Sequence, residues 1–186
     1  MTLSDPVPLT PPAGATPGPP AGFEAFFRHF EPMICRYLIW READRNIVED
    51  AAQLTLLSAY RYWEKVGDMA DPRGWLFRVA GQRLEDARQD RERGGILTDP
   101  QLLRSGDANE DHLAACEQHL DIVTAVRKLP PRQQEALALR VQGGFGFREI
   151  AQTMGCAEGT ARGHVHQART TLAAILGDTT ADGGVG

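Results

Sequence analysis

The chain has 186 residues, 42% of them hydrophobic, and a formal net charge of −5. That composition is globular, and no apolar run approaches the ~20 residues that a membrane span needs, so no membrane insertion is expected. A chain this acidic should bind free DNA poorly, because phosphate contacts supply much of the non-specific affinity of DNA binders.

Residues 1–22 hold seven of the twelve prolines and almost no large apolar side chains, which predicts a disordered tail. The first basic residue is Arg28, so the chain lacks the positive start of a secretory signal and is expected to be cytoplasmic. Residues 23–93 read as a helical domain with apolar runs such as Phe26-Phe27-Phe30 and Leu54-Leu57. On a helix from about Arg45 to Trp63, Ile47, Ala51, Leu54, Leu57 and Ser58 are predicted to share the inner face. Glu49, Asp50, Gln53 and Leu56 are left on the other, an acidic surface suited to docking on a basic helical partner. A loop at 64–71 follows, and then a helix with Asp71 as N-cap and Pro72 at its first position. Its predicted buried stripe is Trp75, Leu76, Val79, Ala80 and Leu84, with Arg78, Arg83 and Arg88 outside.

Residues 94–112 begin with two glycines and carry four carboxylates against Arg104, the composition of an acidic linker. The second domain, 113–176, ends in three short helices. Leu137 and Leu139 lie in one that follows Pro130-Pro131 and stops at Gly143-Gly144, and Glu149 to Met154 form one closed by Gly155. The third begins near Glu158 and repeats Ala161, Val165, Ala168, Leu172 and Ile175 on one face, so Arg162, Gly163, His166, Gln167 and Thr170 face outward. A short helix, a glycine turn and a helix with outward donors is the arrangement that enters a DNA major groove. Periodicity alone fits equally well a helical hairpin with a solvated outer face. Residues 177–186 read as a flexible tail.

No catalytic or cofactor constellation is visible, and neither an enzyme nor a cofactor is expected. Cys35, Cys116 and Cys156 lack paired ligand spacing, and His164 and His166 point to different sides of a helix, so no metal site is expected.

The stretch LPPRQQEALALR, followed by REIAQTMGCAEGTARGHVHQAR, resembles the promoter-reading domain of RNA polymerase sigma factors, specifically the short extracytoplasmic-function (ECF) group of the sigma-70 family. In the first domain, Val48 to Gln53 matches the family's acidic AEDxxQ motif. Asp71 to Ala80 resembles its PxxWLFxIA motif, and Asp86 falls where the family keeps an aspartate. Two motifs in the right order are far more specific than a helix-turn-helix alone.

The resemblance implies an all-α protein of two small helical domains joined by a flexible linker, the second with the helix-turn-helix. It implies core RNA polymerase and promoter DNA as partners, with an anti-sigma factor as a further one. Glu49, Asp50, Gln53 and Leu56 would grip the polymerase clamp. Arg61, Trp63, Val66, Gly67, Asp68, Met69, Arg73, Trp75, Arg78 and Arg83 would handle the melted minus-ten element, though Trp63 and Trp75 fit plain core positions as well. Arg162, Gly163, His164, His166, Gln167, Arg169 and Thr170 would read the minus-thirty-five duplex. The acidic linker would thread a channel otherwise used by nucleic acid, or serve only as a solvated tether.

Departures accompany the match. Gly81-Gln82 replaces a usual Arg-Asn, and Gln89-Asp90 replaces a basic pair. Gly146 and Ala157 stand at helix starts that usually carry Ser or Thr, and His164 and Gln167 stand where the reading helix usually has arginines. These predict a weakened, pH-sensitive minus-thirty-five contact. The alternatives are an autonomous helix-turn-helix regulator, which the acidic charge disfavours, and a sigma-derived protein whose DNA-reading face has degenerated.

Overall fold

The computed structural model describes residues 20–93 and 120–181. The proline-rich segment 1–19, the acidic linker and residues 182–186 lie outside them. Eight helices are described, and among the described residues there is no strand: α1 (Phe23–Arg41), α2 (Arg45–Arg61), α3 (Trp63–Val66), α4 (Arg73–Glu92), α5 (Leu120–Arg127), α6 (Pro131–Gln142), α7 (Phe147–Met154) and α8 (Glu158–Ala181).

Helices α1, α2 and α4 form the first bundle around Ile34, Tyr37 and Leu38, Val48 and Ala51, and Leu76, Phe77, Ala80 and Leu84. Each burial of a side chain such as Leu84 contributes about 1.5–3 kcal/mol. Local chemistry sets the ends. Asp44 caps α2 by accepting the Asn46 amide at 2.9 Å, and the Asp71 carboxylate accepts the Arg73 amide at 3.0 Å where α4 begins.

Three expectations are corrected here. Leu54, expected inside, is 37% exposed, and Leu56, expected outside, is only 5% exposed. Helix α2 packs on both α1 and α4, so its buried arc is wider than one stripe and is rotated toward Val48, Ala52, Thr55 and Ala59. The segment expected as a loop from 64 begins as the helical turn α3, which buries Val66. Helix α8 continues to Ala181, past the expected start of the tail at 177.

Helices α5–α8 form the second bundle, with Val126, Leu137, Leu139, Ile150, Ala161, Val165 and Ala168 inside. Pro131 sits in the first turn of α6, where a missing amide proton costs nothing. Gly155 closes α7 at φ +65, a left-handed conformation that favours glycine.

The two bundles pack against each other. Phe77 stands edge-on to Tyr37 at 5.1 Å within the first bundle, and edge-on to Phe145 of the second at 5.2 Å. All three rings are buried, and one hydrophobic cluster runs through both bundles. The turn that supplies Phe145 depends on glycine: a Cβ on Gly143 would come within 2.5 Å of the Phe145 ring, and Gly144 has φ +66. Polar contacts surround the rings. Arg36 donates to Gln142 at 3.2 Å, Arg127 to the Ile39 carbonyl at 2.9 Å, Arg73 to the Gly143 carbonyl at 3.2 Å, and Arg78 to the Gln152 carbonyl at 3.2 Å.

Candidate nucleic-acid interface

The second bundle presents α8 as expected. Ala161, Val165 and Ala168 are buried, while Arg162, His166, Gln167, Arg169 and Thr170 are exposed; Gly163 and His164 lie at the margin. A Cβ on Gly163 would meet nothing within 4 Å. Arg162 is ion-paired to Glu158 at 3.2 Å, one turn earlier, but keeps 63% of its side chain exposed. Gln167 accepts a long bond from Gln133 at 3.4 Å, and the Thr170 hydroxyl donates to the His166 carbonyl at 3.2 Å.

Glycine at position 146 has no side chain with which to cap α7. The start of the helix is held instead from the other side, where the Gly146 amide donates to the Glu149 carboxylate at 2.7 Å. This is one limb of a capping box. The same carboxylate lies 3.5 Å from Arg73 across the bundle junction.

The first bundle divides its expected DNA residues into two groups. Arg61, Gly67 and Asp68 are exposed, Met69 is half-buried, and Val66, at 1% exposed, supports the turn from within. Trp63 is half-buried and edge-on to Phe23 and Phe26 at 5.2 and 5.1 Å, and Trp75 is also partly buried against the core. Gly67 is packed so closely over Trp63 that an added Cβ would lie 3.0 Å from the Trp63 carbonyl. The arginines of α4, by contrast, are occupied. Arg83 is held by Asp86 at 3.3 Å and by Ser58 of α2 at 3.4 Å.

Arg73 is gripped by Asp71 at 2.6 Å, and its guanidinium lies over the Phe145 ring at 5.3 Å. Its hydrogen bond to Asp71 holds that carboxyl below the usual carboxylate range. Sequence periodicity assigned Arg78 to a solvated face; the structure turns it to the second bundle.

Glycine at position 81 has a structural counterpart. A Cβ there would approach the Arg41 guanidinium at 3.3 Å and the Tyr37 hydroxyl at 3.4 Å. Arg41, nearly buried, donates to that hydroxyl at 2.7 Å. Burial pushes the Tyr37 phenol up to about 12, against the opposing pull of Arg41.

On α2, Glu49 is paired with Arg45 at 2.9 Å. Asp50 is half-buried, and its Oδ2 is shielded without a hydrogen-bond partner. Desolvation, then the neighbouring carboxylates of Glu49 and Asp44, push its carboxyl up. Gln53 is half-exposed beside them, and the apolar side chain that accompanies the patch at the surface is Leu54, not Leu56. Among the described residues there is no cluster of His, Cys, Asp and Glu able to hold a metal, and no helix is long and apolar enough to cross a membrane.

Comparison with known proteins agrees with this geometry. Residues 26–94 match the family model of sigma-70 region 2, and residues 119–172 match that of sigma-70 region 4. The ECF RNA polymerase sigma factor SigL of Mycobacterium tuberculosis is 29% identical, over 88% of this chain and 94% of the relative. Among solved structures, the sigma factor RpoE of Bartonella quintana, in complex with the anti-sigma factor NepR, is similar at a TM-score of 0.64 and 22% identity. That match covers 83% of this chain and 96% of that one. CnrH, solved with the cytosolic domain of CnrY, is similar at a TM-score of 0.59 and 21% identity, over 84% and 88% of the two chains. These two likenesses are of fold. With the region 2 motifs on α2 and α4 and the region 4 helix-turn-helix on α7 and α8, the chain belongs to the ECF group of the sigma-70 family of RNA polymerase sigma factors.

Proposed function

We propose that this sigma factor docks on core RNA polymerase, reads the upstream promoter element as duplex and helps melt the downstream element. The observation that carries the reading is the exposed outer face of α8, where Arg162, His166, Gln167, Arg169 and Thr170 stand outside a well-packed helix-turn-helix. Gly163 lets the DNA backbone approach, and His164 borders the contact. Arginine pairs well with guanine edges and glutamine with adenine, so Arg162 and Gln167 are the residues proposed to set base preference.

Polymerase docking is assigned to Glu49, Asp50 and Gln53 with Leu54. An acidic carboxylate already desolvated and short of a partner gains most from an incoming cation. Downstream, Arg61 and the turn at Gly67, Asp68 and Met69 are proposed to meet unstacked bases, with cations of α4 on the backbone. Trp63 and Trp75 shape that turn from beneath. Arg73 and Arg78 join only when the bundles part, because both are engaged by the second bundle in the compact form.

The net charge of −5 fits a protein that meets DNA while carried by polymerase. A relative of the same fold is solved with an anti-sigma factor, which supports proposing such a partner here. The function as proposed is that of an initiation factor without a reaction of its own, acting in the cytoplasm.

The deciding experiment mixes the purified chain with core polymerase and maps transcript starts across genomic DNA. Discrete starts sharing a two-block upstream motif are expected. Failure to bind polymerase would sink the reading and favour an autonomous regulator.

A further inference from the structure

Phe147 opens α7, and its half-buried ring receives a guanidinium from each neighbouring helix. Arg140 of α6 lies 5.1 Å from the ring centroid and Arg162 of α8 lies 4.9 Å from it. Both arginines are exposed. Arg140 is further held by the Phe145 carbonyl, to which it donates at 2.7 Å, rather than by a carboxylate, so its charge stays available to an anion. The pair between Arg162 and Glu158 is solvent-exposed on both sides and is therefore a weak competitor for DNA.

Guanidinium groups stack on aromatic faces while their N–H edges stay free for phosphate or base. We propose that Phe147 is a positioning residue for the upstream duplex, its ring bracketing Arg162 and Arg140 as a paired clamp. Arg162 meets base edges from the reading helix, and Arg140 meets the phosphate backbone from the helix before it.

Physical reasons favour such a device. An arginine free in solvent loses rotamer entropy when it engages DNA, and a stacked one has lost part of it beforehand. The bracket also fixes the separation of the two cations. Both lie on one ring, so they are no further apart than their two ring distances combined. Periodicity could not reveal this, since Phe147 reads as an ordinary first-turn apolar residue and Arg140 as a solvated helix end. The proposal rests on α8 reading promoter duplex.

The test uses holoenzyme reconstituted with core polymerase and promoter fragments taken from mapped starts, with the upstream block intact or scrambled. The readout is the ratio of initiation on the intact and scrambled templates. Both templates use the same preparation, so loss of folded protein cancels. Phe147→Leu should lower that ratio about tenfold, the combined size of two exposed cation–π contacts. Phe147→Tyr should restore it to within about twofold, because the ring face persists. In an Arg162→Ala background, Phe147→Leu should cost only about threefold rather than about tenfold, because the Arg140 contact alone is left to lose. An unchanged ratio for Phe147→Leu, an equal loss for Phe147→Tyr, or losses that add fully to Arg162→Ala would each overturn the bracket. Absence of discrete starts with the wild-type holoenzyme would remove the sigma reading itself and the bracket with it.

Discussion

The two surfaces proposed to meet promoter DNA are presented in opposite ways. On α8, Arg162, His166, Gln167, Arg169 and Thr170 reach solvent from a helix whose inner face is closed by Ala161, Val165 and Ala168. On α4, Arg73 and Arg78 donate to backbone carbonyls of the other bundle, and Arg83 is tied to Ser58 and Asp86. The face proposed to read duplex is therefore open in the compact form, while the face proposed to handle the melted strand is partly covered by the bundle that carries the first. Hydrogen bonds from a charged group are each worth about 1.5–3 kcal/mol. On the proposed reading, melted DNA displaces the region 4 carbonyls of Gly143 and Gln152 before Arg73 and Arg78 change partners.

The largest effect is expected from breaking the open face. Reversing Arg162 and Arg169 to glutamate replaces two attractive contacts with two repulsive ones. At about 1–3 kcal/mol for each lost contact, initiation at mapped promoters should fall by at least about thirtyfold. Polymerase binding, measured by co-elution, should be retained. A sigma-derived protein with a degenerate DNA face would show no change.

A second effect lies beneath the junction. Tyr37 is fully buried in the ring column that ends at Phe145, and its folded-state pKa of about 12 lies above the unfolded value near 10. A phenol whose pKa is raised on folding stabilises the fold fully below pH 10, and that stability is lost as pH climbs toward 12. The loss should approach about 3 kcal/mol. Urea unfolding between pH 8 and 11.5 would measure it, and Tyr37→Phe should flatten the alkaline limb.

The closed face gives a third, smaller effect. Arg127 holds the Ile39 carbonyl across the junction and has no proposed DNA role. Arg127→Ala should shift the balance toward separated bundles and raise the affinity of the free chain for single-stranded downstream-element DNA by about tenfold. Fluorescence transfer between dyes on α1 and α6 would report the separation. A tighter signal, or weaker binding to the single strand, would show that the compact form does not compete with DNA.

The polymerase face adds a contrast of comparable size. Asp50 is desolvated, flanked by like charges and without a partner for Oδ2, so Asp50→Asn should leave thermal stability unchanged or slightly higher. Polymerase affinity should nevertheless drop several-fold, because the charge proposed to meet a cationic partner surface is gone. Parallel loss of both would identify Asp50 as a structural residue instead.

The open face was legible in the sequence and the closed one was not, for a physical reason. A helix with one packed side writes its role as a single stripe, and α8 is such a helix, so Ala161, Val165 and Ala168 predicted their own burial. Helices α2 and α4 each have neighbours on two sides. A single stripe then misplaces Leu54 and Leu56, and it misses Phe77, whose outer neighbour is Phe145 of the other bundle. Arg73 and Arg78 carried a family motif but no trace of which carbonyl they would meet. Gly81 looked like a lost cation, whereas the space it leaves is occupied by Arg41 beside Tyr37.

The finest expected effect returns to α8. An imidazole offers a ring nitrogen to a base edge or a phosphate oxygen. His166 is exposed on the reading face and His164 lies at its margin. His166→Ala should therefore lower the duplex affinity of the holoenzyme a few-fold, and His164→Ala less. The two substitutions separate the histidine proposed to face the groove from the one that borders it. Equal effects would mean that α8 is rolled further toward His164 on DNA than its packed face indicates, and an absence of any loss would leave Arg162, Gln167 and Arg169 to carry the contact.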